Sequence, residues 1–355
     1  MVAHPVAAAF GGPLTSIHPL EKDTLMRRSI SHILIASAAT LALLTGCSAQ
    51  PGDSSPVRFQ MHWAWSASTA GFALADQDGL LDDVEVIEGR GSGTAVQLVA
   101  SGQADIGVAD AVAIVQQIEQ GAPLVVVATM NQVTNIAMQV LDSSGITTVE
   151  DLKGKTVAVP QGGAYAFLFP LFLELNGLSE ADVTVANVPF ESLVASLLEG
   201  NVDAIVGGQD THVALVAQDA DFTDFLFADY CVDAVAHSIF TTEDYLERNP
   251  EGVREFVANS LQGLGQAYTD PDAAVEAVAA LSPGADADGT RVELDFLLPL
   301  MCAADASYIG RAEPEHWTRS IDLLERAGLI SETLDPDTFV SYDYLPADDE
   351  LTACD

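Results

Sequence analysis

The chain has 355 residues, enough for two domains around a substantial core. Hydrophobic residues make up 49%, yet 13 Lys and Arg stand against 52 Asp and Glu, a formal net charge of −39. A surface this acidic repels phosphate backbones and anionic bilayers, which argues against nucleic acid as a partner and against a membrane as anything but a tether point.

The first 46 residues read as targeting rather than fold. Residues 1–25 are expected to be a misassigned or disordered extension ahead of Met26. Residues 26–46 have the layout of an export signal: Arg27 and Arg28, then an apolar run from Ile33 to Leu44 too short to span a bilayer. Leu44-Thr45-Gly46-Cys47 resembles the bacterial lipobox, which implies cleavage before Cys47 and lipidation of that cysteine. Residues 47–56, rich in Gly, Ser and Pro, then form a tether. No later segment is long and apolar enough to cross a membrane. The expected location is therefore extracytoplasmic, held to the bacterial cell membrane by lipid alone.

From Val57 the pattern alternates strand and helix. RFQM, a helix around Ala70–Gly79, DVEVIE, a helix at Ala95–Ala100, and ADIGV follow in turn, then a helix at Ala111–Gln120 and a strand at Leu124–Ala128. Thr147 or Thr148 ahead of Glu150 and Asp151 marks a helix start. KTVAV opens a second series that lasts to about Tyr230. VDAVAHSIFT then reads as a strand returning to the first series. Residues 242–335 are helical in pattern.

The two series are copies. Gly102, Gln103 and Asp105 fall against Gly200, Asn201 and Asp203, each 98 residues later, and Gly79-Leu80 against Gly177-Leu178 at the same offset. In each copy a helix runs into a glycine suited to the left-handed helix-ending conformation, followed by an apolar run suited to a buried parallel strand. This predicts an α/β fold of two lobes: 57–138 with 234–355, and 139–233. Ligands on such sheets bind at the carboxyl ends of the strands, so two facing sheets make a cleft.

Cys231, Cys302 and Cys354 allow one disulfide and one free thiol. Cys231–Cys302 and Cys302–Cys354 are both compatible with the sequence. No CxxC spacing or His cluster points to a metal, and no cofactor or catalytic residue is expected.

The loops after the strands supply the candidate ligand-binding residues. Trp63 and Trp65 in HWAWS suit a flat ring held by stacking, although one of them could equally be a core residue. Ser92 and Thr94 follow the glycine turn Gly89–Gly93, which lacks the Walker spacing and its Lys. Asp110 ends its strand, and Asn131 lies near the first crossing. Gln161, Gly162 and Tyr165 open the helix after KTVAV, Phe190 sits before the repeated helix, and Gln209 ends the second copy. One Arg (Arg90) stands against Asp110, Glu191 and Asp210. This balance favours a neutral or weakly basic heteroaromatic over an anion, which would need desolvated cationic partners.

GLLDDVEVIEGRGSGTAVQLVASGQADIGVADA, LKGKTVAVPQGG, LLEGNVDAIVGG, FTTEDYLERNPEGVREFVAN and WTRSIDLLERAGLI, in this order over about residues 57–345 and behind a lipobox, carry a resemblance. The chain is similar to the ABC-importer substrate-binding proteins for thiamine-pyrimidine precursors, alkanesulfonates, taurine and nitrate. The resemblance implies a type II-like periplasmic-binding-protein fold with two crossover strands and a helical C-terminal portion on lobe 1. It also implies a monomer that captures a small-molecule solute by lobe closure and docks on ABC permease subunits. A thiamine-pyrimidine-like ring is the first expectation, a flavin or an anion of the sulfonate, taurine or nitrate type the alternatives. An enzyme of pyrimidine synthesis on the same fold would need a reactive His and an iron-binding Cys-rich run. No such run exists, and His62, His212, His237 and His316 are dispersed in sequence. An orphan sensor lipoprotein using the same binding module is the third class.

Overall fold

Gly102 and Gly200 both take the left-handed backbone, each with φ of 71°. Each thereby ends its helix and turns the chain into the strand that follows, so the 98-residue repeat is structural as well as textual. The computed structural model describes residues 56–161, 163–303 and 306–354, which belong to one compact unit.

The first series supplies β1 (Val57–Gln60), α1 (Ala70–Gln77), β2 (Val84–Ile87), α2 (Ser92–Ala100), β3 (Ile106–Asp110), α3 (Ala111–Glu119) and β4 (Leu124–Thr129). The chain then crosses to β5 (Ala137–Leu141), β6 (Thr156–Pro160), α4 (Gly163–Leu175), β7 (Thr184–Val188), α5 (Leu193–Leu198), β8 (Ala204–Gly207), α6 (Gln209–Val216) and β9 (Phe222–Leu226). It returns through β10 (His237–Thr242) and ends in α7 (Glu243–Arg248), α8 (Pro250–Thr269), α9 (Pro271–Leu281), α10 (Ala287–Leu297) and α11 (Pro314–Arg326).

Two five-stranded sheets result, in the orders β2-β1-β3-β10-β4 and β7-β6-β8-β5-β9. The first three strands of each are parallel, and the fourth, β10 or β5, is antiparallel to both its neighbours. That fourth strand is in each case the one that has just arrived from the other sheet. Because Ala137 already belongs to the second sheet, the first crossing is residues 130–136, slightly ahead of the expected 138/139 boundary. The second crossing is residues 231–236. A hydrogen bond from Ala236 N to Asn131 O (3.2 Å) ties the two together.

The apolar runs explain the core. Every residue of β4 and β8 is buried, and β3 is buried up to Asp110, as expected of strands covered on both faces. The C-terminal helices follow their caps. Pro250 and Pro271 occupy first-turn positions, and Asp270 accepts the Ala273 N–H at 3.1 Å. Helices α8 and α9 cover α1 on the first sheet. Helix α11 also reaches the second series, with Leu323 against Leu171 and Arg326 paired to Glu174 at 3.1 Å. The Tyr342 hydroxyl accepts from Trp317 Nε1 (2.9 Å) and Ala312 N (3.1 Å) and lies 2.8 Å from Thr129 Oγ1, fastening the C-terminal segment to the end of β4. Of the two pairings left open by the sequence, Cys302–Cys354 is formed, and Cys231 is exposed and free. Among the described residues no helix is long and apolar enough to cross a membrane. The proposed lipidation residue Cys47 lies outside the described residues.

Candidate functional site

The carboxyl ends of β3 and β8 open towards the crossings, and there a cavity of about 140 Å³ is lined by Asp110, Val112, Thr134, Asn135, Ile136, Ala164, Tyr165, Leu168, Ala234 and Val235. Its walls come from the end of β3, the start of α3, both crossings and the first turns of α4.

Asp110 is placed by its backbone. It caps α3 by accepting the Val112 N–H at 2.9 Å, while its own N–H donates to Ser92 Oγ at 3.0 Å. His237, the first residue of β10, is its direct partner across the strand pair. Burial pushes the Asp110 carboxyl upward, opposed by His237 and by the Val112 N–H. Burial pushes the His237 imidazole downward, opposed by Asp110. The His62 ring lies against that of His237, with centroids 4.3 Å apart and planes tilted by 40°, and burial, then His237, hold it well below the ordinary histidine range. His62 Nε2 meets Ser68 Oγ at 3.2 Å, whereas its buried Nδ1 has no protein partner. The histidines dispersed in sequence are therefore not all dispersed in space, and His237 was no sequence candidate. A single His at the start of a strand gives no sign of the carboxylate 127 residues earlier that faces it.

Tyr165 is the aromatic wall of the cavity, and Phe190 lies behind it, with centroids 5.6 Å apart and planes at 38°. Burial, then Asp210, then Asp110, push the Tyr165 hydroxyl up to about 12, so it is a neutral donor at any physiological pH. Asn135 Nδ2 donates to Gln209 Oε1, joining the first crossing to the start of α6. Beyond it, Gln139 Nε2 donates to Asp224 Oδ1 (2.7 Å), and Asp224 Oδ2 pairs with His212 Nδ1 (2.7 Å). The His212 ring lies 4.9 Å from that of Phe296 on α10, so α6 and α10 touch across the two sheets. Glu293, also on α10, is pushed up to about 7 by burial and by Asp210.

The tryptophans part company. Trp65 packs against the first-sheet core, while Trp63 is 52% exposed. Their loop is clamped from below. Gly89 N donates to Trp63 O (3.0 Å) and Gly91 N to His62 O (2.7 Å), so these amides hold the backbone and are not free for an anion. A side chain at Gly89 would put its Cβ 2.0 Å from Met61 O. Of the remaining candidates, Asp110 and Tyr165 line the cavity, while Ser92, Phe190 and Gln209 contact the lining residues Asp110, Tyr165 and Asn135 respectively. Thr94 and Gln161 face solvent. Asn131 lines a separate cavity of about 30 Å³ between α1, α8 and α10. Gly162 lies outside the described residues. Asn135, four residues after Asn131 in the first crossing, lines the cavity.

Residues 73–274, more than half of the chain, match the family described as NMT1/THI5 like. The riboflavin-binding protein RibY of Chloroflexus aurantiacus is 31% identical over 237 residues, 64% of this chain and 66% of that protein. A protein of Haemophilus influenzae assigned to thiamine biosynthesis is 32% identical over 155 residues, 42% of this chain and 49% of that one. The chain thus spans just under two thirds and about half of these relatives. The periplasmic aliphatic sulphonate-binding protein SsuA of Escherichia coli superposes with a TM-score of 0.66 at 18% identity, covering 81% of this chain and 92% of that one, which establishes the periplasmic-binding-protein fold. By the match over residues 73–274, the chain belongs to the NMT1/THI5-like family.

Proposed function

We propose that the protein is the solute-binding component of an ABC importer, exported, lipid-anchored at Cys47, and monomeric. In this reading the two sheets with their helices are lobes that close on a single small heteroaromatic ring and present it to permease subunits, with no bond made or broken. A ligand that contacts both lobes favours the closed state by its differential affinity. The observation that carries the reading is the cavity at the strand ends, lined by Asp110 from the first sheet and Tyr165 from the helix after β6.

Size and charge narrow the ligand. A cavity of about 150 Å³ accommodates benzene, so a space of about 140 Å³ suits one six-membered ring. A thiamine-pyrimidine-like compound is the first choice. A three-ring flavin, the ligand named for the Chloroflexus relative, would require further opening of the lobes and is the second. A sulfonate is disfavoured because no Lys or Arg lines the cavity and Asp110 does.

The test is a melting-temperature screen of the exported form with thiamine-pyrimidine precursors, riboflavin and alkanesulfonates. It is paired with X-ray scattering to detect closure, and with native mass spectrometry of protein from rich medium. Stabilisation with compaction, and recovery of the compound unchanged, are expected. A screen in which no compound alters melting would remove the reading.

A further inference from the structure

We propose that the cavity selects a positively charged ring, such as a protonated or quaternised nitrogen heteroaromatic, over neutral and anionic rings of the same size. This rests on the ring-capture reading above and assigns the charge class of the ligand.

The inference comes from a carboxylate without a cation. Asp110 lines the cavity, and one hydrogen-bond donor reaches its side chain, the Val112 N–H that it caps. Its neighbour across the strand pair is His237, which burial holds towards the neutral imidazole. None of the residues that line the cavity is Lys or Arg, and the nearest candidate by sequence, Arg90, is exposed. The other charge that acts on Tyr165 is also acidic, Asp210 at the start of α6. An ionised carboxylate shielded from water and left unpaired is unfavourable, which is why burial pushes the Asp110 carboxyl upward, and a cation set against it would favour the ionised form again. A neutral ring would seal that charge in and an anion would add to it. A cation would compensate it.

The aromatic wall points the same way. The ring of Tyr165, which lines the cavity, carries negative electrostatic potential on its faces, which attracts a cation set against it. The whole chain, with a net charge of −39, raises the local concentration of small cations. Three independent features, the uncompensated carboxylate, the ring faces and the overall field, thus favour the same sign.

The test uses the exported form and three single-ring probes at equal concentration and neutral pH: 4-aminopyridine, which is then protonated, aniline, which is neutral, and benzoate, which is anionic. Affinity is read from melting shifts and by calorimetry. The aminopyridinium ion is expected to bind on the order of tenfold more tightly than aniline, the scale of one charge-assisted contact, and benzoate not at all. Asp110→Asn, which retains the capping oxygen, should bring the two affinities together by weakening the aminopyridinium ion about tenfold. Asp210→Asn should narrow the gap partially, and it gives a second readout if the first variant folds poorly. Aniline or benzoate binding as well as the aminopyridinium ion would overturn the charge assignment and leave ring capture standing. Binding of none of the three would overturn both.

Discussion

Asp105 and Asp203, 98 residues apart, make the same contact in the two sheets. The Asp105 carboxylate accepts the Arg58 N–H at 3.0 Å and the Asp203 carboxylate accepts the Thr156 N–H at 2.8 Å. Each aspartate returns its own N–H to the carbonyl of the same residue, at 2.9 and 2.8 Å. The pair of bonds registers β3 against β1 in the first sheet and β8 against β6 in the second. Asp105 does more, because Arg58 Nε (3.0 Å) and Nη2 (2.6 Å) also bind it. Replacing Asp203 by Ala should cost about 1 kcal/mol and replacing Asp105 by Ala about 2–3 kcal/mol, measured by urea denaturation. Equal losses would show that the Arg58 fork adds nothing.

Glu293 makes stability depend on pH. Its carboxyl is pushed up to about 7 by burial and Asp210, above the ordinary glutamate value of 4.5. The folded chain therefore holds more protons than the unfolded one between those values, and stability falls as pH rises through that window. The penalty is fully present above about pH 7. Glu293→Gln should remove about 1–2 kcal/mol of that decline, after allowance for the solvent that reaches a half-buried group. Melting curves at pH 5 and pH 8 would check it, and an unchanged difference between wild type and variant would refute it.

Gly89 leaves no room for a side chain. The backbone must yield to relieve a Cβ 2.0 Å from Met61 O, and the bond from Gly89 N to Trp63 O is then lost. Gly89→Ala should cost at least about 2 kcal/mol and weaken ligand binding by shifting His62. Denaturation and calorimetry on the same preparation would separate the two effects. A stable variant with full affinity would mean that the clamp is dispensable.

The disulfide closes a loop across 52 residues. Cys302→Ser with Cys354→Ser should cost about 2–4 kcal/mol. Thiol reagents should modify Cys231 in the native protein, whereas Cys302 and Cys354 should react only after reduction. Peptide mapping of labelled protein would decide it.

Much of the fold could be read from the sequence because its signals are local. Gly102 and Gly200, the apolar runs behind them, and the Asn-Pro and Asp-Pro starts of α8 and α9 each act within a few residues. Strands β5 and β9 were less legible. AMQVL opens with no turn signal after the crossing, and FTDFL lies half exposed at a sheet edge, so neither has the continuous apolar run of β4. The site was legible only in outline. Asp110, Tyr165, Phe190 and Gln209 follow from strand-end topology. His237 depends on the register of a strand that returns from the other sheet, and register is set by long-range pairing. Trp65 looked like a ring-stacking residue because aromatic type alone cannot tell a cavity wall from a core contact.

The side-by-side crossings bear on how the molecule can move. One connecting strand would let its two ends swivel and flex about any axis. Two, stitched by the bond from Ala236 to Asn131, behave like the paired knuckles of a door hinge. Under the proposed closure, torsion should be suppressed and a single swing expected, which a pair of fluorophores on α2 and α5 would follow as one distance.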